Sequence, residues 1–419
     1  MSTTDRFVIV GAGLAGARAA QTLREEGFAG GIVVLGDEPE RPYERPPLSK
    51  GLLTGGAEPD SVFVHDAGWY AAHDVDLRTA TRAVAVDRAA RTVRLADGEQ
   101  LRYGKLLLAT GATPRDLAVP GGHLAGVLRL RTLADSRRIG AALVDGARVV
   151  IVGAGWIGLE VAAAARHRGV TVDVVETAAL PLRRVLGDEI ARVFADLHRD
   201  HGVTFHFGAE VHEIRGTDRV SSVRLADGTE LPADAVVVAV GVRPNTELAT
   251  AAGLAVENGI HVDASLRTAD PDVHAAGDVA NAYHPVLRRR LRVEHWANAL
   301  HGGPAAARAM LGQPVSYDDL PYFYTDQYEL GMEYVGHAPP GATDRVVVRG
   351  DLAKREFIAF WTAGGRVLAG MNVNVWDVVP EIRRLVTAAH PVDLDRLADP
   401  DVPLADLLPA EPPAERRAG

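Results

Sequence analysis

Two stretches of the chain carry the same spaced glycines. In FVIVGAGLAGARAA, residues 7–20, Gly11, Gly13 and Gly16 follow a strand-like run and open a helical one. In VVIVGAGWIGLEVAA, residues 149–163, Gly153, Gly155 and Gly158 repeat the spacing, with Trp156 set in the middle of the loop. Such a loop suits a pyrophosphate. The first glycine permits the tight turn, the second lets the backbone approach the phosphates, and the third lets the helix pack close to the sheet. The helix N-terminus adds N–H groups and a dipole that favours negative charge. An acid ends the next strand of each unit, Asp37 in the first and Glu176 in the second, where a carboxylate can bind a ribose diol. A lone GxGxxG says little. Two complete strand–loop–helix–strand–acid units point to two nucleotides, the other reading being a Rossmann-type scaffold that binds nothing.

Glu176 also bears on which nucleotide enters. A carboxylate accepts hydrogen bonds from a free 2′-hydroxyl and repels a 2′-phosphate, which favours NADH over NADPH. Arg183 and Arg184, a few residues on, are the groups that could approach a phosphate, with a solvated loop as their other reading. Lysine stands only at Lys50, Lys105 and Lys354. Lys50 closes RPPLSK, in which two prolines give a rigid lead-in and Ser49 suits a helix N-cap. Taken alone it reads as a surface lysine. Cysteine is absent altogether. That excludes disulfides, thiolate metal sites, Cys-ligated iron–sulfur clusters and every thiol-based mechanism.

The elements that must position these residues follow an alternating pattern. At 419 residues the chain is long enough for two to three domains. Strands alternate with helical stretches, as in doubly wound α/β folds. The duplication reaches beyond the glycine loops: KLLLATGATPR (105–115) matches AVVVAVGVRPN (235–245). VRLADGEQL (93–101) and VRLADGTEL (223–231) both read as hairpins with an Asp-Gly turn. Beyond about residue 320, PYFYTDQYEL, RVVVRGDL, EFIAFWTAGG and RVLAGMNVNVW read as antiparallel strands, and DVVPEIRRLVTAA as a helix. The Pro- and charge-rich end, 406–419, reads as a disordered tail. No apolar run approaches the ~18–20 residues of a membrane span. The N-terminus shows no signal pattern, so a cytoplasmic setting is expected. The net charge of −10 does not favour nucleic acid.

Together these residues resemble the FAD-dependent NAD(P)H:ferredoxin reductases, the putidaredoxin reductase-like branch of the two-dinucleotide-domain flavoproteins. Nearly the whole chain takes part. Besides the glycine loops the resemblance rests on RPYERPPLSKGLL (41–53), ATG (109–111), LRTLADS (130–136), AVGVRPN (239–245), VHAAGDVA (273–280), VEHWANAL (293–300) and YFYTDQY (322–328). It implies two Rossmann-like dinucleotide-binding domains plus a C-terminal α+β domain with a small antiparallel sheet. The FAD domain would be discontinuous, at 1–114 and 245–320, the NAD domain would span 115–244, and the C-terminal domain 321–405. FAD would sit on the first loop and NADH on the second, with hydride passing to the flavin and electrons leaving singly.

Carried over position by position, Gly11, Gly13, Ala15, Gly16, Asp37, Arg45, Lys50, Ala83, Arg131, Asp278 and Trp296 would line the FAD site. Gly153, Gly155, Ile157, Gly158, Glu176 and Glu294 would serve NAD. The resemblance puts Lys50 near flavin N5, paired with Glu160, and makes Trp156 an aromatic cover that the nicotinamide displaces. A 2Fe–2S ferredoxin serving a haem monooxygenase or ring-hydroxylating dioxygenase is the expected acceptor. Its docking is expected at Arg288, Arg289, Arg290 and Arg292, for which a solvated loop is the other reading. Tyr322 and Tyr324 stand where relatives often carry Trp. Reduction of a small molecule, of rubredoxin or of a nitrite reductase component remains open, as does a non-enzymatic NADH-sensing flavoprotein.

Overall fold

The run Phe7–Val10 is apolar at every position, which suits a strand covered on both faces. In the computed structural model, whose described residues are 6–408, Arg6–Val10 is the central strand of a five-stranded sheet. Lys105–Leu108 and then Val273–Ala275 lie on one side, Gly31–Leu35 and then Val75–Arg78 on the other, all parallel. Helix Leu14–Glu25 follows the central strand. Arg148–Val152 holds the same place in a second parallel sheet. Ala235–Val238 and Val127–Leu128 flank it on one side, Thr171–Glu176 and Thr204–Phe207 on the other. Its crossover helix is Trp156–His167.

The duplicated runs occupy matching places. Strands Lys105–Leu108 and Ala235–Val238 each lie beside their sheet's central strand. Thr92–Leu95 with Gln100–Arg102, and Val220–Leu225 with Glu230–Pro232, form the two Asp-Gly hairpins. A third strand completes each meander, Ala83–Asp87 in the first and Val211–Gly216 in the second. Two boundaries differ from the sequence reading. The second strand ends at Leu35, so Asp37 lies in the loop beyond it. Arg183 and Arg184 open a helix, Arg183–Asp200, broken at Gly187, rather than lying in a loop. That helix carries Ile190, Phe194 and Leu197 into the core, and its apolar periodicity explains the difference.

The C-terminal part is a five-stranded antiparallel sheet, ordered Tyr322–Gln327, Leu330–Gly336, Arg366–Val373, Glu356–Ala363, Arg345–Asp351. Helix Val379–Ala388 covers it through Ile382, Leu385 and Val386. A single turn at Leu404–Leu407 buries Leu404 and Leu407, so packed structure continues past residue 405. Residues 409–419, most of the expected tail, lie outside the described part. The edge strand Tyr322–Gln327 packs on helices Trp156–His167 and Trp296–Met310, which brings all three parts to one cleft. Among the described residues no helix is long and apolar enough to cross a membrane.

Candidate functional site

Each glycine loop owes its shape to one close approach. Gly11 has φ +121°, and a Cβ there would lie 2.0 Å from the Ala109 carbonyl oxygen. Gly153 has φ +102°, and its Cβ would lie 2.5 Å from the Ala239 carbonyl oxygen. Ala109 and Ala239 come from the paired ATG and AVG runs, which is why those runs recur beside the loops. Gly16 and Gly158 seat their helices against Gly11 and Gly153, where a Cβ would come within 2.0 and 2.1 Å of those carbonyls. Gly13 and Gly155 cap the helices, and a Cβ at either would meet nothing within 4 Å. Their lack of a side chain therefore leaves room for a phosphate beside the helix N–H groups.

A cleft of about 1080 Å³ opens from the first loop and runs between the three parts of the fold. It exceeds the roughly 300–1000 Å³ of sites for small ligands, as a dinucleotide requires. Gly11, Gly13 and Ala15 line one end. Asp37 lies at the rim and is exposed. The anchored acid of this loop is Glu38, which the sequence reading did not single out. It takes Arg45 at 2.9 Å and the Tyr43 hydroxyl. Arg45 in turn donates to the Arg131 carbonyl, and Tyr43 receives the Leu133 N–H at 3.1 Å. Arg131 precedes a capping box in which Thr132 and Asp135 satisfy each other's backbone N–H. Its guanidinium meets Asp278 at 2.8 Å across the cleft. An open glycine, a cationic guanidinium and a carboxylate lie along one groove, and these fit the phosphates and ribityl hydroxyls of FAD.

Lys50 and Glu160 meet at 2.7 Å, with side chains 18% and 5% exposed. Glu160 rides on helix Trp156–His167, and Lys50 follows the tight turn Pro46–Ser49. Ser49 does not cap the next helix. Its hydroxyl donates instead to the second Glu160 oxygen, a charge-assisted bond stronger than the one its oxygen would accept from a backbone N–H of the four-residue helix. Thr325 donates to Glu160 Oε1 at 2.6 Å from the C-terminal sheet. The Lys50 ammonium also lies 5.4 Å over the Tyr324 ring, within cation–π range. So one carboxylate on the second unit gathers a cation and a hydroxyl from the first unit and a second hydroxyl from the C-terminal sheet.

Trp156 lines the cleft with its ring edge-on to Phe194 at 5.6 Å and 5.0 Å from Phe323. Ile157 beside it is 44% exposed, an apolar surface open to the cleft. Trp296 begins helix Trp296–Met310 and meets Tyr324 edge-on at 6.0 Å. His295 before it also lines the cleft, and burial pulls its imidazole down to about 4, so it is neutral at physiological pH. Glu294 lies at the rim, paired with Arg292.

Not every expected residue reaches the cleft wall. Gly16, Gly153, Gly155 and Gly158 lie beneath or beside the loops they shape. Glu176 folds under the second loop, accepting the N–H groups of Ala154 and Ala178 at 2.8 Å each. Ala83 begins a strand opposite Leu95, away from the cleft. The arginine cluster divides. Arg288, Arg289 and Arg290 are exposed at and beside a hairpin tip, Arg290 also donating to the carbonyls of Val262 and Asn281. Arg292, only 10% exposed, is turned inward. Among the described residues no cluster of His, Cys, Asp or Glu could hold a metal ion.

Residues 5–303 match the family described as pyridine nucleotide-disulphide oxidoreductase, and residues 322–408 match the reductase C-terminal family. The ferredoxin–NAD(+) reductase component of the anthranilate 1,2-dioxygenase system of Burkholderia cepacia is 43% identical, over 97% of this chain and all of that one. Putidaredoxin reductase of Pseudomonas putida is 39% identical over 98% of each chain. The solved structure of the covalent putidaredoxin reductase–putidaredoxin complex superposes with a TM-score of 0.92, at 38% identity, covering 96% of this chain and 98% of that one.

Proposed function

The chain belongs to the pyridine nucleotide-disulphide oxidoreductases, in their ferredoxin–NAD(+) reductase branch, and on that premise we propose that it carries electrons from NADH to a ferredoxin. Bound FAD would supply the step between a two-electron donor and a one-electron acceptor. The balance is one NADH and two oxidised ferredoxins giving NAD+, two reduced ferredoxins and one proton. FAD belongs to the unit of residues 1–114 and 245–320, NADH to that of 115–244. Gly11, Gly13, Arg131 and Asp278 bind and orient the first, and the helix N-terminus at Gly155, on the loop that Glu176 braces from beneath, receives the second. Trp156 covers the nicotinamide position until NADH arrives. Lys50, fixed by Glu160, places a positive charge beside the reacting atoms.

The observation that carries this reading is the Lys50–Glu160 pair at the meeting point of two glycine loops, in a chain without cysteine. Disulfide reductases pass electrons on through thiols. This chain has none, so its electrons must leave across space to a docked partner. We infer that the ferredoxin serves an oxygenase, as the name of the anthranilate 1,2-dioxygenase component implies for that relative, and that the setting is cytoplasmic. The test is NADH-driven cytochrome c reduction by the FAD-loaded protein. A 2Fe–2S ferredoxin should raise the rate well above that with ferricyanide or quinone alone. Equal turnover with quinone and no response to ferredoxin would favour the small-molecule reading.

A further inference from the structure

Behind Glu160 a line of buried side chains leads away from the cleft. Thr325, Gln327 and His198 are each 1% exposed or less. The Gln327 amide donates to Thr325 Oγ1 at 3.1 Å, and the Gln327 carbonyl oxygen lies 2.8 Å from His198 Nε2. His198 Nδ1 lies 3.3 Å from the Tyr328 hydroxyl. The Tyr328 ring stacks on His201 at 3.7 Å near the surface turn that joins the first two strands of the C-terminal sheet.

Only one set of donors satisfies this line. A Gln carbonyl oxygen can only accept, so His198 Nε2 carries the proton and Nδ1 accepts from Tyr328. Thr325 receives the Gln327 N–H, which leaves its own proton for Glu160. Turning the Gln327 amide over would require the other His198 tautomer and reverse the bond to Tyr328. It would also draw the Thr325 proton away from Glu160. Every hydrogen bond therefore points toward the carboxylate. An amide in the middle does not readily hand protons on, so the line holds rather than conducts. Polar groups are costly to bury, and an apolar filling of the same volume is often at least as stable. A fully paired line does fix one geometry.

We propose that Thr325, Gln327 and His198 are positioning residues for hydride transfer, fixing Glu160 Oε1 and through it the Lys50 ammonium, the first two from outside the two nucleotide units. The proposal rests on the reading that Lys50 and Glu160 stand beside the reacting atoms. It assigns the C-terminal sheet a part in flavin reduction as well as in architecture.

The experiment uses the full FAD-loaded chain and measures anaerobic flavin reduction by NADH in stopped flow, with the visible spectrum of the bound oxidised FAD as a second readout. Thr325→Val and Gln327→Met keep shape and remove the hydrogen bonds. Each should lower the limiting rate on the order of 10-fold, with less than about a 2-fold change in the apparent Kd for NADH. Both should perturb the FAD spectrum in the same sense as Lys50→Met. Thr325→Ser, which restores the hydroxyl, should return the wild-type rate and spectrum. Thr325→Val added to Lys50→Met should cost nothing further, because it acts through that lysine. A wild-type rate in Thr325→Val beside a slow Lys50→Met would overturn this proposal alone. A wild-type rate in Lys50→Met would instead remove the reading beneath it.

Discussion

Lys50 is the counter-charge of a carboxylate that is almost fully enclosed. Without it, Glu160 keeps two hydroxyl donors and no cation. Lys50→Met should therefore slow flavin reduction by NADH on the order of 10- to 100-fold, since on the proposed reading it removes the positive charge beside the reacting atoms. It should also cost about 1–3 kcal/mol of stability, part of the lysine being solvated. Stopped flow and thermal unfolding read the two effects separately. Trp156 works by contact rather than charge. On the proposed reading its ring leaves Phe194 and Phe323 to admit a nicotinamide, and two aromatic contacts of ~0.5–1.5 kcal/mol each oppose that movement. Trp156→Ala removes the opposition, so the apparent Kd for NADH should fall roughly 10-fold. An unchanged saturation curve would show that the ring does not have to move.

The two crossover units share loop, helix and acid, yet their acids differ in role. Glu176 is held by two backbone N–H groups beneath its loop, whereas Asp37 stands free at the rim and Glu38 takes the anchored place. Glu176→Gln keeps the size, removes the charge that disfavours a 2′-phosphate and leaves one oxygen to accept a backbone N–H. The ratio of kcat/KM for NADH over NADPH should then fall by about 10-fold, the worth of one charged hydrogen bond. What could be read in advance follows this division. The glycine spacing, the paired ATG and AVG runs and the Asp-Gly hairpins are local signals, and each lies where its spacing implies. The Lys50–Glu160 pair came from resemblance, because 110 residues separate its members. Ser49, Thr325 and Glu38 were missed for a related reason. A serine after two prolines looks like a cap, and only the folded chain shows that a buried carboxylate 111 residues away claims its hydroxyl. The arginine run at 288–292 read as one patch, but Arg292 is turned inward, paired with Glu294 and donating to the Asp278 carbonyl.

Across the whole molecule, His198 and His274 are buried in different parts of the fold, and burial pulls each down to about 4. Unfolded, such groups protonate near 6.5. Between those values the unfolded chain binds more protons than the folded one. Stability is therefore full above about pH 6.5 and declines as pH falls toward 4, by up to roughly 3 kcal/mol for each histidine. The urea midpoint should be lower at pH 5 than at pH 7.5, and a higher one would contradict these environments. The chain and an acidic ferredoxin would repel each other overall, so docking is expected at the exposed Arg288 and Arg289. Reversing both to Glu should raise the KM for ferredoxin about 10-fold and flatten its dependence on salt. The central claim is that FAD lies between the two glycine loops and takes hydride from NADH, and anaerobic titration of the FAD-reconstituted chain tests it most directly. One equivalent of NADH should bleach the flavin absorbance almost completely. A chain that stays colourless after reconstitution, or yellow under excess NADH, would contradict it.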